Sequence, residues 1–162
     1  MYTKGATFLH LLIGPCAAGK STVADKYRDI PGMVISTDEL RKQITGDFMC
    51  QYSNDKVYSY LRGHVTNRIM HGLPVWVDCT NYRRSERLQI TNLAPLDQNV
   101  MYYIVDRPIE EKLRDGGWRL DVMKPNGKNI VQDTHDRFQL ALPYILDGDG
   151  LPNVIVHDAR SN

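Results

Sequence analysis

Long apolar runs are absent from this chain. The stretch that follows Met1-Tyr2-Thr3-Lys4-Gly5 stays apolar for only about eight residues, too short for a membrane span or a secretory leader. Cysteine is scarce and odd in number: Cys16, Cys50 and Cys79 stand far apart, without the spacing of a zinc site or a disulfide framework. The five histidines (10, 64, 71, 135 and 157) show no metal-ligand pairing either. A charge surplus is missing too, since 20 basic and 19 acidic residues leave a net charge of +1. That balance excludes a protein that coats nucleic acid non-specifically and leaves room only for a local contact, at an end rather than along a duplex. No repeat, low-complexity tract or Ser/Gly linker divides the chain, so residues 1–162 read as one domain. These absences predict a reduced, cytoplasmic setting and no membrane partner; oligomeric state is not legible.

What is present is an alternation of short apolar runs and amphipathic stretches. Strands are predicted at Phe8–Ile13, Met33–Ser36, Val75–Asp78, Val100–Val105 and Val154–Val156. Between them, helices are expected from Lys20 to about Arg28, Asp38 to about Thr45, and Asn54 or Asp55 to Gly72. Further helices are expected from Arg83 to about Leu93, Pro108 to Leu113, and Thr134 to Ile145. Val57, Leu61, Val65 and Ile69 recur every four residues, which places one apolar face on the third helix. The alternation implies an α/β fold: a parallel sheet with helices on both faces. In such sheets ligands sit at the carboxyl ends of the strands, so the residues after the first three strands carry the chemistry.

The first strand runs into Gly14-Pro15-Cys16-Ala17-Ala18-Gly19-Lys20-Ser21, which matches the phosphate-binding pattern G-x-x-x-x-G-K-[ST], with Thr22 next. Glycines let the backbone turn so that successive N–H groups face phosphate oxygens. Lys20 brings a positive charge to the β and γ phosphates, and Ser21 a hydroxyl to Mg²⁺. The pattern calls for ATP or another nucleoside triphosphate. After the second strand, Asp38 stands where a carboxylate can take the proton of an attacking hydroxyl, and Arg41 lies one helical turn on. Helix capping by Thr37 or Asp38, with Arg41 as a solvated charge, explains the same spacing equally well. Asp78 closes the third strand and suits Mg²⁺ or one of its waters; Thr80 and Asn81 follow. Arg114 and Arg119 flank Gly116-Gly117-Trp118 in an expected loop from Asp115 to Lys128, able to close as a lid over about residues 115–130. Arg83, Arg84 and Arg87 form a basic group that can line an acceptor groove or face solvent, and Tyr52 and Tyr82 are the stacking aromatics nearby.

Taken together, Gly-Pro-x-x-x-Gly-Lys-Ser-Thr, Ser-Thr-Asp-Glu-Leu-Arg and Val-Asp-Cys-Thr-Asn resemble the P-loop kinase domain of phage and bacterial polynucleotide 5′-hydroxyl kinases, from about Phe8 to Leu142. The resemblance implies a P-loop kinase fold and transfer of the ATP γ-phosphoryl group to a 5′-hydroxyl end of DNA or RNA. It implies Lys20 and Ser21 at the ATP phosphates and Mg²⁺, Asp38 as general base, and Arg41 on the acceptor's phosphate. Asp78, with Asn81 beside it, takes the third-strand position, and Arg119 or Arg114 the lid arginine. The wider kinase group shares Asp-x-x-Arg, so a kinase of a nucleoside, nucleotide or other small metabolite is the second reading. A nucleotide-hydrolysing switch is the third.

Overall fold

The structure, a computed structural model, describes residues 4–47 and 54–161. Five strands form one wholly parallel sheet: β1 (Thr7–Ile13), β2 (Val34–Ser36), β3 (Val75–Asp78), β4 (Asn99–Ile104) and β5 (Val154–Asp158), in the order β2-β3-β1-β4-β5. Parallel neighbours need crossovers, and helices supply them. They are α1 (Lys20–Ala24), α2 (Thr37–Thr45), α3 (Asn54–Met70), α4 (Arg84–Thr91), α5 (Ile109–Asp115) and α6 (Ile130–Leu146).

The four-residue repeat of α3 does what its spacing predicts: Val57, Leu61, Val65 and Ile69 are all buried. They join Leu9, Leu11 and Ile13 of β1, Val100, Tyr102 and Ile104 of β4, Ile90 of α4, and Phe138 and Ile145 of α6 in one continuous core. The opposite face of the sheet carries a smaller cluster of Leu12, Ala24, Trp76 and Val105, with Tyr27 packed against it. Trp76 stacks between His10 (centroids 4.4 Å apart) and Tyr27 (4.7 Å). The cover on this side is short, and β4 alternates buried and half-buried residues instead of burying every side chain.

Three sequence expectations shift. The helix after the phosphate loop tightens after Ala24 into a 3₁₀ turn, Asp25–Tyr27. The expected loop from Asp115 to residue 128 contains a 3₁₀ helix, Gly117–Asp121, and a bridge between Met123 and Asn129. Helix α6 starts at Ile130 rather than Thr134, because the Asn129 side chain accepts from Gln132 N–H at 2.9 Å and caps it.

A buried ion pair fastens the region behind β3. The fully buried Arg87 grips Asp149 through Nε and Nη2 (2.8 and 2.7 Å), and its Nη1 donates to the carbonyls of Asn81 (3.0 Å) and Tyr82 (2.6 Å). Tyr102 donates to the same carboxylate at 2.9 Å, and its hydroxyl pKa is pushed up to about 12, chiefly by burial. Arg87 is thus neither a groove residue nor a solvated charge. Removing one partner strands the other charge in a dry interior. Asp149→Asn is expected to cost about 3 kcal/mol, read as a lower denaturant midpoint at unchanged slope.

Candidate active site

The carboxyl ends of β1, β2 and β3 meet because of register. Leu12 pairs with Asp78, and Ser36 pairs with Asp78 from the other side, so three strand ends form one rim. Above that rim opens a cleft of about 490 Å³. Its walls include the phosphate loop from Cys16 to Ser21, the Asp38–Arg41 turn, Asp78, and Trp118 and Arg119 from the 3₁₀ segment.

The loop needs its glycines. A Cβ on Gly14 would lie 2.0 Å from the Val105 carbonyl oxygen, and Gly19 has φ +99°, where side-chain-bearing residues are strained. Within and after the loop Pro15 and Ala18 are buried, whereas Thr22 is exposed. Ala17 also has a positive φ, 61°, and its carbonyl accepts from Arg107 Nε at 2.8 Å. Cys16 N–H is held by Thr134 Oγ1 at 3.0 Å. Lys20, buried at the start of α1, donates to the carbonyls of Gly14 (3.0 Å) and Pro15 (2.7 Å). Its ammonium is therefore held across the mouth of the loop, where an anion would rest.

Ser21 Oγ donates to Asp78 Oδ2 at 3.1 Å. Asp78 is buried, and desolvation raises its pKa against the pull of Lys20, the Ser21 bond and Arg28, whose Nη2 lies 3.8 Å away. A desolvated carboxylate beside a hydroxyl offers two hard oxygen donors to a cation that nucleotide oxygens and water would complete, so this pair fits Mg²⁺. Among the described residues no group of three or more His, Cys, Asp or Glu forms a self-sufficient metal cage.

At the other end of the cleft, the α2 cap is Ser36, whose side chain accepts from Glu39 N–H at 3.5 Å. Asp38 is therefore not spent on capping, and neither is Thr37. Asp38 Oδ1 accepts from Arg41 Nη1 at 2.9 Å, while Arg119 Nη2 lies 3.9 Å from Oδ2. Arg41 is buried and further tied to Asn54 Oδ1 at 3.1 Å. Arg119 rests over the Trp118 ring, 4.6 Å from its centroid, which fixes the approach of its guanidinium to Asp38. Two arginines from separate elements thus converge on one carboxylate.

Not every expected site residue reaches the cleft. Arg114 is 70% exposed and pairs with Asp115, so Arg119 rather than Arg114 is the arginine of this segment that faces the site. Asn81 is buried: its amide donates to the Leu12 carbonyl at 2.8 Å and its oxygen accepts from Cys79 Sγ at 2.7 Å. It ties β3 to β1 instead of meeting an acceptor. Arg83 does line the cleft and sits over the Tyr82 ring at 5.6 Å, whereas Arg84 turns toward Asp149. Tyr52 and Cys50 lie outside the described residues. Arg107 was missed. It follows β4 and braces the phosphate loop against Asp115, with Nη1 2.7 Å from that carboxylate. Its only signal was position at a fourth strand end, with no motif around it.

This geometry can be set beside known proteins. A family model described as an AAA domain matches residues 9–116, well over half of the chain. The chain belongs to that family. No curated protein matches it. Among solved structures, a chain of the Pnkp1/Rnl/Hen1 complex is similar at 19% identity with a TM-score of 0.59, covering 71% of this chain and 40% of that one. A chain of the Pnkp1/Rnl/Hen1 RNA repair complex is similar at 17% identity and TM-score 0.66, covering 88% and 47%. This chain therefore spans less than half the length of either. A gluconokinase from Sinorhizobium meliloti 1021 is similar at 18% identity and TM-score 0.51, covering 100% and 86%. The P-loop kinase fold of this AAA domain member is thereby shown. Among the described residues no helix is long and apolar enough to cross a membrane.

Proposed function

We propose that the chain transfers the γ-phosphoryl group of ATP to a hydroxyl at the 5′ end of a nucleic acid. The observation that carries this reading is the Asp38–Arg41 pair, 2.9 Å apart, in the same cleft as the phosphate loop. Asp38 takes the proton of the attacking hydroxyl as its oxygen bonds to the γ phosphorus, and the bond to the β–γ bridging oxygen breaks to release ADP. Lys20 and the loop N–H groups hold the phosphates. Ser21 and Asp78 would hold Mg²⁺, which when bound neutralises phosphate charge. Arg119, carried on the segment 115–130 that would close as the lid, swings from Asp38 onto the charge that develops in transfer.

Arg41 separates acceptor classes. A polynucleotide 5′ end carries its first phosphate on the same sugar as the attacked hydroxyl, and a buried guanidinium with a forked donor set suits that group. Arg41→Ala should cost about 2 kcal/mol, roughly thirtyfold in kcat/KM, on a nucleoside 3′-phosphate and little on the free nucleoside. Wild-type rates equal on both acceptors would remove the polynucleotide reading. A kinase of a small hydroxylated metabolite is the second reading, favoured by the net charge of only +1, which leaves little surplus to draw in a polyanion.

A further inference from the structure

The same cleft is also lined by Asn54, Tyr58, Tyr82, Arg83 and Glu86. Glu86 lies in the first turn of α4 with its side chain only 23% exposed. A carboxylate has about four acceptor sites. Among the described residues Glu86 accepts from Arg83 Nη1 through one long contact, 3.4 Å to Oε1. A carboxylate half-withdrawn from water and facing the cleft, with most of its acceptor capacity unspent on the protein, is ready to take a donor that enters there.

The same arginine supplies the second half of the observation. Arg83, touching Glu86 at its edge, lies over the Tyr82 ring with its centre 5.6 Å from the centroid. A guanidinium plane backed by an aromatic ring is a stacking platform for a flat heterocycle. A base whose face rests on that platform turns its edge toward the carboxylate beside it.

Resting on the proposed transfer to a 5′-hydroxyl, we infer that Glu86 is a specificity-determining residue. It accepts a hydrogen bond from an exocyclic amine of the acceptor's first base, and so favours a base with such an amine over uracil. Uracil offers one imino N–H between two carbonyls, and those carbonyls face a carboxylate unfavourably. Cytosine places an amine donor where uracil has an acceptor. The sugar hydroxyls are the poorer partner, because they adjoin the phosphate that Arg41 would hold and a carboxylate there would meet its negative charge.

The test compares cytidine 3′-phosphate, uridine 3′-phosphate and 2′-deoxycytidine 3′-phosphate as acceptors, with wild type and Glu86→Gln, recording kcat/KM for each and the KM for ATP. Wild type should favour cytidine over uridine by about tenfold and treat the two cytidine sugars alike. In Glu86→Gln the ratio should fall toward one, because the amide oxygen still accepts from cytosine while its NH₂ now donates to uracil. The ATP KM should not move. A wild type that ignores the base, or a ratio unchanged in Glu86→Gln, overturns the inference while leaving the transfer reading intact. A Glu86→Gln effect confined to the ribose-to-deoxyribose comparison also overturns it, since the carboxylate would then read the sugar. Wild type inactive on all three acceptors removes the transfer reading and this inference together.

Discussion

Lys20→Ala should lose about a thousandfold in turnover, with the protein still folded. The expectation rests on where the ammonium is held. Its Nζ bridges the carbonyls of Gly14 and Pro15 across the mouth of the phosphate loop, so it adds a full charge at the spot the loop N–H groups already favour for an anion. Lys20 is itself buried, and there such a charge would stabilise the transferring phosphoryl group more than it would in bulk solvent. The truncation also leaves two carbonyls short of a donor, at about 1 kcal/mol each, so a modest fall in thermal midpoint belongs to the same expectation. A substitution that keeps activity within about tenfold of wild type would show that the loop does not carry the chemistry.

The second large effect concerns Asp38. Asp38→Asn keeps the shape and the contact with Arg41 but removes the basic oxygen, and transfer should fall by a hundredfold to ten-thousandfold. Nucleotide affinity should barely change, because none of the phosphate-loop contacts passes through Asp38, which pairs with Arg41 instead. Calorimetric titration with a non-hydrolysable ATP analogue, run beside the transfer assay, separates the possibilities. If affinity collapses in step with turnover, Asp38 is a nucleotide or metal ligand and not the base.

Much of the fold was legible because its signals are local. The five strands and six helices follow from apolar runs, four-residue periodicity and turn residues, each set by neighbours in sequence. Helix caps account for two of the differences. Ser36, not Thr37 or Asp38, caps α2, and Asn129 starts α6 four residues early; choosing among adjacent polar residues depends on backbone angles a sequence does not display.

The candidate site divides in the same way. The phosphate loop is contiguous, so its spelling gives its geometry. Asp38 and Arg41 lie one turn apart, which predicts a shared face and is what the structure shows. The arginines are another matter, because identical residues end in four different places. Arg83 lines the cleft, Arg84 turns to Asp149, Arg87 is buried with that carboxylate, and Arg114 faces solvent. Only the packing of α4 and of the segment after α5 against the sheet sorts them. Arg107 and Glu86 escaped for a related reason, since each becomes a cleft residue through tertiary placement alone.

The most direct test of the central claim is transfer of labelled γ-phosphate from ATP with Mg²⁺ to an oligonucleotide bearing a free 5′-hydroxyl, run beside the same oligonucleotide blocked at that position and a panel of free nucleosides and small hydroxylated metabolites. The account expects label on the open oligonucleotide, none on the blocked one, and slow transfer to free nucleosides. Label appearing on a small metabolite and not on the open oligonucleotide would contradict it.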